Sequence, residues 1–182
     1  KINFNNVIHK MDFLTSKIDN LKKNFLKKII NYIRNRSLKI LHISTFDEKN
    51  DHRLFNISIA NKLTKGFIRN GHDVVNFSYR DYRDKFLLKN NNALNEKVYN
   101  INSNYRPDLI LLGHNNILSR NVIEKIKSQY KTKIALWYED HLIKGGPNYL
   151  NNLNLIEKNK DLIDQYFLTI FPDLINTGIP KS

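Results

Sequence analysis

The sequence predicts an α/β fold: a doubly wound, mostly parallel sheet with helices on both faces. Between residues 38 and 170, short β-branched or apolar runs alternate with longer segments of helical periodicity, which is the pattern of successive β–α–β units. The run Leu109–Gly113 is apolar until its glycine, as expected of a strand buried on both faces. A helical pattern over Phe4–Tyr32 precedes this domain, so the sequence predicts a helix followed by a three-layer domain.

The segment 1–37 is predicted to be a long amphipathic helix. From Val7 to Phe25 its apolar residues recur in alternating steps of four and three, as along the seam of a heptad helix. Residues 1–36 hold nine Lys or Arg and two Asp, a net charge of +7 out of +13 for the chain. Three interpretations remain open: the helix pairs with another helix, lies on an anionic membrane surface, or packs on its own domain.

The domain 38–182 begins with a predicted strand at Leu38–Ile43. A polar loop leads to a helix predicted over Leu54–Asn70, and Gly71 stands where a helix-terminating glycine is expected. His72 is expected to meet the end of this helix, where a cation is favoured. Asp73–Ser78 is the predicted second strand.

The remaining elements are predicted from the same signals. The segment from Asp84 to Asn104 is polar and weakly helical, and Pro107-Asp108 introduces the third strand. Ser119 is a helix cap. The elements predicted after it are a helix to about Tyr130, a strand at Lys133–Tyr138, a helix at Tyr149–Lys160 and a last strand at Gln165–Ile170.

Composition excludes several classes of protein. The 182 residues include no cysteine, which excludes a disulfide framework, a zinc ribbon and a thiol nucleophile, and favours a reducing, cytoplasmic setting. The sequence lacks the dinucleotide-binding, phosphate-loop and nucleophile-elbow motifs, and it has no His spacing typical of a metal site. Because the basic excess lies mainly in the first 36 residues, specific nucleic-acid binding is not expected.

Candidate functional residues follow the predicted strands. Ligands of open parallel sheets bind beyond the carboxyl ends of the strands, near the point where the strand order reverses. If the order is of the 2-1-3-4 kind, Asp47, His52 and His114 lie nearest to that point. Asp140-His141 has a second interpretation as a local turn, His114 one as a structural residue, and His42 is expected to be a hydrogen-bonded core histidine. The candidates beyond the four strands are Ser44, Thr45, Asp47, His52 and Arg53; Tyr79, Arg80 and Asp81; His114, Asn115 and Asn116; and Glu139, Asp140 and His141.

Taken together, these segments resemble a known enzyme family. Leu38–Ile43, His52-Arg53-Leu54 and Gly66–Val74 are similar to the N-terminal half of GT-B glycosyltransferases. Three further segments resemble the bacterial group called CgeB-like or spore-maturation-protein-like: Phe77–Asp81, Arg106–His114 and Ala135–Asp140. The resemblance covers about Leu38–Pro180.

The resemblance implies a Rossmann-like half-domain that binds a sugar or glycan acceptor. A second half, expected past Ser182, would bind the nucleotide-sugar donor, with no metal or other cofactor, so the chain alone is expected to transfer no sugar. Such an enzyme builds cell-surface or other glycans, in the cytoplasm or at the inner face of the membrane. The alternative is a non-catalytic, flavodoxin-like interaction module with an oligomerising or membrane-adsorbing helix. Within the resemblance, His114, Asp140 and Asp47 are the catalytic candidates, and His52, Arg53, Ser44, Thr45, Arg80, Asn115 and His141 the substrate-binding ones.

Overall fold

The structure, a computed structural model, describes residues 37–46, 58–86, 91–113, 118–140 and 142–169, together with Lys17 and Lys23. The chain divides into two compact units, Lys1–Ser37 and Leu38–Ser182. In the first unit, Lys17 and Lys23 are helical and exposed. The rest of the long helix predicted over Phe4–Tyr32 lies outside the described residues.

The second unit contains a five-stranded, all-parallel sheet, which confirms the predicted fold class. Its order is β2-β1-β3-β4-β5, so the strand order reverses between β1 and β3. The carboxyl ends of these two neighbouring strands mark the position where open α/β sheets bind ligands. The strands are β1 (Lys39–Ser44), β2 (Asp73–Ser78), β3 (Leu109–Gly113), β4 (Lys133–Tyr138) and β5 (Gln165–Leu168).

Helices cover both faces of the sheet. One face packs against the first helix through Ala60, Leu63 and Phe67, and the other face packs against helices that bury residues such as Ile123 and Ile156. Side chains alternate between the faces along each strand because the strand repeat is two residues. The helices are α1 (Ile59–Arg69), α2 (Tyr79–Phe86), α3 (Asn92–Tyr105), α4 (Arg120–Gln129) and α5 (Tyr149–Asn159).

Helix α1 begins and ends with side-chain and backbone caps. Its N-cap is Ser58, whose Oγ accepts a hydrogen bond from the Asn61 N–H at 3.2 Å. Because Ser58 has extended backbone angles, the helix does not run continuously from Leu54 as predicted. At the other end Gly71 has φ +82°, and its N–H donates to the Ile68 carbonyl at 3.0 Å, which confirms the terminating glycine.

His72 contacts the end of α1 as predicted, but through its backbone, whereas its imidazole has a different partner. Its backbone N–H, not its side chain, donates to the Phe67 carbonyl at 3.1 Å. The imidazole Nδ1 instead accepts the Leu38 N–H at 3.4 Å. The His72 imidazole is therefore a hydrogen-bond acceptor for the chain entering β1.

The observed start of α2 and the observed end of β5 differ from the predicted ones. The polar stretch predicted from Asp84 is two helices, and α2 starts directly after β2 at Tyr79, where Tyr79 and Tyr82 pack on the core and the Arg80 side chain is exposed. Strand β5 ends at Leu168, not at Ile170. The predicted cap at Ser119 is confirmed, since its Oγ accepts the Val122 N–H at 3.4 Å.

None of the helices in the described ranges is long and apolar enough to cross a membrane.

Candidate functional site

A cleft of about 650 Å³ lies at the carboxyl edge of the sheet. It is open beside the ends of β1 and β4 and beside the first turns of α1 and α2, so it occupies the position expected from the reversal of strand order. We call it the carboxyl-edge cleft. Of the residues that the structure describes, those lining the cleft are Ser44, Thr45, Ser58, Ile59, Ala60, Lys62, Tyr79, Arg80, Trp137, Glu139, Asp140 and Asn148.

The end of β1 supplies two hydroxyl groups to the cleft. Ser44 is the last residue of the strand and is almost fully buried, while Thr45 is half-buried. The chain is then held against β2, because the Phe46 N–H donates to Ser78 Oγ at 3.1 Å and the Phe46 ring is fully buried. This anchoring fixes the backbone that carries both hydroxyls.

The first turns of two helices supply cations. Lys62 lies on α1, and Arg80 lies on α2, directly after β2. Arg80 was expected beyond the end of the second strand, and the structure places it on the helix that follows, with an exposed side chain. Both positive charges border the carboxyl-edge cleft without depending on the flexible geometry of a loop.

The end of β4 supplies two carboxylates. Glu139 is exposed and Asp140 is half-buried. The backbone carbonyl of Asp140 accepts a hydrogen bond from Thr169 Oγ1 at 3.1 Å, which ties this turn to the end of β5. Burial, helped by Tyr79 and by the charge of Asp140, raises the pKa of the Tyr138 phenol, so that phenol is protonated at neutral pH.

The floor of the cleft includes Trp137, whose indole crosses the end of β3. A Cβ atom at Gly113 would lie 2.5 Å from Trp137 Cζ2 and 2.5 Å from Ser44 Oγ, which is too close for any side chain. The glycine at the end of β3 therefore makes room for the indole to reach from β4 towards β1. There the indole Nε1–H donates to His42 Nε2 at 3.3 Å.

His42 is a core histidine, as predicted. It is fully buried, and this burial lowers its pKa to about 4. Its Nδ1 is 2.9 Å from Thr64 Oγ1, so both ring nitrogens have partners. His42 is therefore neutral at physiological pH and bonded to the cleft floor on one side.

Six of the residues predicted beyond the strand ends border the carboxyl-edge cleft, and sequence reasoning missed several others. The predicted residues found there are Ser44, Thr45, Tyr79, Arg80, Glu139 and Asp140. Asp81 is buried on α2, and Asn116 lies outside the described residues. Trp137, Lys62 and Asn148 were missed. For Trp137 the sequence did offer a signal, because it lies near the end of a predicted strand and the strand before it ends in a glycine, Gly113. Asp47, His52, Arg53, His114, Asn115 and His141 lie outside the described residues.

The cleft is suited to a polar, largely uncharged ligand. Among the lining residues that the structure describes, two cations and two carboxylates balance in charge, while hydroxyls and an indole add hydrogen-bonding and apolar surface. In the part of the chain that the structure describes, no three His, Asp or Glu side chains are grouped closely enough to hold a metal ion. No protein-family model matches the sequence, and no curated protein matches it either.

Proposed function

We propose that this chain is the acceptor-side domain of a nucleotide-sugar-dependent glycosyltransferase, and that its acceptor binds in the carboxyl-edge cleft. The observation that supports this is the joint presence of carboxylates, hydroxyls, cations and an indole around one cleft. A sugar presents hydroxyls to polar groups and C–H groups to an apolar surface. The balanced charge of the lining favours such a neutral compound over a polyanion.

Asp140 is the proposed general base. Its carboxylate takes the proton of an acceptor hydroxyl, and the hydroxyl oxygen forms a bond to the anomeric carbon of the donor sugar. The bond between that carbon and the phosphate oxygen breaks, and the nucleoside diphosphate leaves with the electron pair. We choose Asp140 over Glu139 because Asp140 is half-buried whereas Glu139 is exposed, and a rigid, partly desolvated base is better oriented.

Arg80 and Lys62 are proposed to orient the acceptor. Both are hydrogen-bond donors without acceptor capacity, so they bind ring or hydroxyl oxygens and leave the carboxylates to accept hydroxyl protons. The donor half that the family resemblance implies would supply the binding of the nucleotide and the stabilisation of its leaving group.

Saturation-transfer NMR with the full 182-residue chain tests acceptor binding. The probes are glucose, galactose and N-acetylglucosamine at millimolar concentration, where weak binding is detected. We expect transfer to at least one sugar, and a strong loss in Asp140→Asn and in Arg80→Gln. Glu157→Gln is the matched control, because Glu157 is an exposed carboxylate on α5 outside the cleft lining.

The interaction-module alternative gives the opposite result. It predicts no saturation transfer to any of the three sugars, and no effect of Asp140→Asn on function. Equal signals in Asp140→Asn, Arg80→Gln and Glu157→Gln would likewise contradict the proposed acceptor site.

A further inference from the structure

A chain of four hydrogen-bonded side chains runs beneath the carboxyl-edge cleft. Trp137 Nε1 lies 3.3 Å from His42 Nε2, His42 Nδ1 lies 2.9 Å from Thr64 Oγ1, and Thr64 Oγ1 lies 3.0 Å from Asn76 Oδ1. These hydrogen bonds run from Trp137 on β4, past β3, to His42 on β1, then to Thr64 on α1 and Asn76 on β2. Only its first member, Trp137, lines the cleft.

The direction of every bond in this chain follows from its first donor. An indole N–H can only donate, so His42 Nε2 must accept. The histidine proton is then on Nδ1 and is donated to Thr64 Oγ1. The hydroxyl of Thr64 donates in turn to Asn76 Oδ1, and this single arrangement uses each hydrogen once.

The hydrogen-bonded side chains lie on a face of the sheet that also buries apolar residues. His42 and Thr64 are buried on the same face as the apolar residues Ile40 and Ala60. Leu41 and Ile43, on the opposite face of β1, pack in a cluster of aliphatic and aromatic side chains. Burying polar groups stabilises a fold little, even when they are bonded, but directional bonds fix the orientation of the group they hold.

We infer that His42 is a positioning residue, which holds the Trp137 indole in the floor of the carboxyl-edge cleft so that a sugar ring can pack against it. Two features support this: the missing Cβ of Gly113, which leaves space for the indole, and the bond from the indole to His42. Trp137 is 7% exposed, and the part of it that lines the cleft gives an apolar surface beside polar groups, which complements a ring with C–H groups on one side and hydroxyls at its edge. The sugar as ligand rests on the proposed function, whereas the positioning of Trp137 does not.

Trp137 is the sole tryptophan of the chain, so it reports on itself without labelling. Its indole N–H gives one isolated signal in a ¹H–¹⁵N NMR spectrum, and its solvent exchange measures the bond to His42. In His42→Phe, which keeps a ring but has no acceptor, we expect exchange to be about tenfold faster, as for the loss of one hydrogen bond. Saturation transfer to the sugar should fall in parallel.

Two further variants separate positioning from general stability. His42→Gln offers an amide oxygen to the indole and an amide N–H to Thr64, so it should restore slow exchange and sugar binding. Thr64→Val removes the acceptor of His42 at a position outside the cleft lining, and should weaken sugar binding through His42 alone. Circular dichroism and urea unfolding confirm that each variant is folded.

The outcomes are distinct. Unchanged indole exchange in both His42→Phe and Thr64→Val overturns the positioning role of His42. Faster exchange with unchanged saturation transfer overturns the contact between Trp137 and the ligand, and leaves the proposed function intact. Absence of transfer to every sugar in the unmodified chain overturns the proposed function and the sugar ligand, while the exchange rates alone then decide whether His42 positions Trp137.

Discussion

At the scale of single residues, burial of His42 has a measurable consequence for stability. Burial lowers its pKa from the ordinary 6.5 to about 4 in the folded state. Between these values the unfolded chain binds a proton at this position and the folded chain does not. The free energy of unfolding therefore falls as the pH is lowered from 6.5 to about 4, and is unaffected by this group above pH 6.5.

We expect this single group to remove roughly 3 kcal/mol over that pH interval. Urea unfolding of the unmodified chain and of His42→Gln between about pH 7 and pH 4.5 measures it. Carboxylates titrate in both proteins, so the difference between their pH dependences isolates His42. Parallel pH dependences in the two proteins would contradict a neutral, buried His42.

The sequence predicted the roles of single residues correctly where the residues next to them in the chain determine that role. The histidine inside an apolar strand is a core histidine, and Ser119 caps its helix, because both outcomes depend on local pattern. The floor of the cleft was not predictable in this way. Trp137 reaches His42 across an intervening strand only because Gly113 lacks a side chain, and that requires knowing which three strands are neighbours.

At the scale of elements, helix α3 presents two buried asparagines with opposite environments. The amide of Asn95 accepts the Ser119 N–H at 2.8 Å and donates to the Asn91 carbonyl at 2.6 Å. Asn102 is fully buried, and neither its amide nitrogen nor its amide oxygen has a hydrogen-bond partner within the described ranges. A buried amide without partners costs free energy that a leucine, which has the same branched shape but no polar atoms, does not.

Leucine substitutions at Asn102 and Asn95 should therefore change the free energy of unfolding in opposite directions. We expect Asn102→Leu to raise the free energy of unfolding by about 1 kcal/mol, and Asn95→Leu to lower it by about 1–3 kcal/mol because the N–H of Ser119 loses its acceptor. Urea unfolding at neutral pH measures both. Similar destabilisation by the two substitutions would show that Asn102 has a partner after all.

Element-scale prediction from sequence recovered all five strands but not every helix. The strands are short apolar runs, and their periodicity is visible without tertiary information. The spacing of Tyr79, Tyr82 and Phe86 indicated a helix face, but the bounds of α2 were not predicted, because the segment is rich in charge and its inner face is recognised only against Phe77 and the core. Similarly, apolar residues from Leu54 extended the predicted α1, whereas the cap at Ser58 sets its start.

At the scale of the whole molecule, the positive charge is unevenly distributed along the chain. Residues 1–36 carry +7 of the net +13, and the described residues Lys17 and Lys23 are exposed. The described residues that line the carboxyl-edge cleft, in contrast, include two cations and two carboxylates. Any binding to polyanions should therefore come from the N-terminal segment and be independent of the cleft.

Binding to a labelled 20-base-pair DNA duplex tests this separation. Because bound lysines release counterions, affinity should fall with salt, and the slope of log K against log salt should become shallower when contacting lysines are lost. We expect the combined Lys→Gln change at Lys22, Lys23, Lys27 and Lys28 to flatten the slope strongly.

The control is the same change at four exposed lysines of the second unit, and it should alter the slope little. These lysines are Lys97, Lys131, Lys144 and Lys158. An equal effect of the two sets would place the contact on the α/β unit, and would favour nucleic-acid recognition by the folded domain over non-specific attraction by its N-terminal segment.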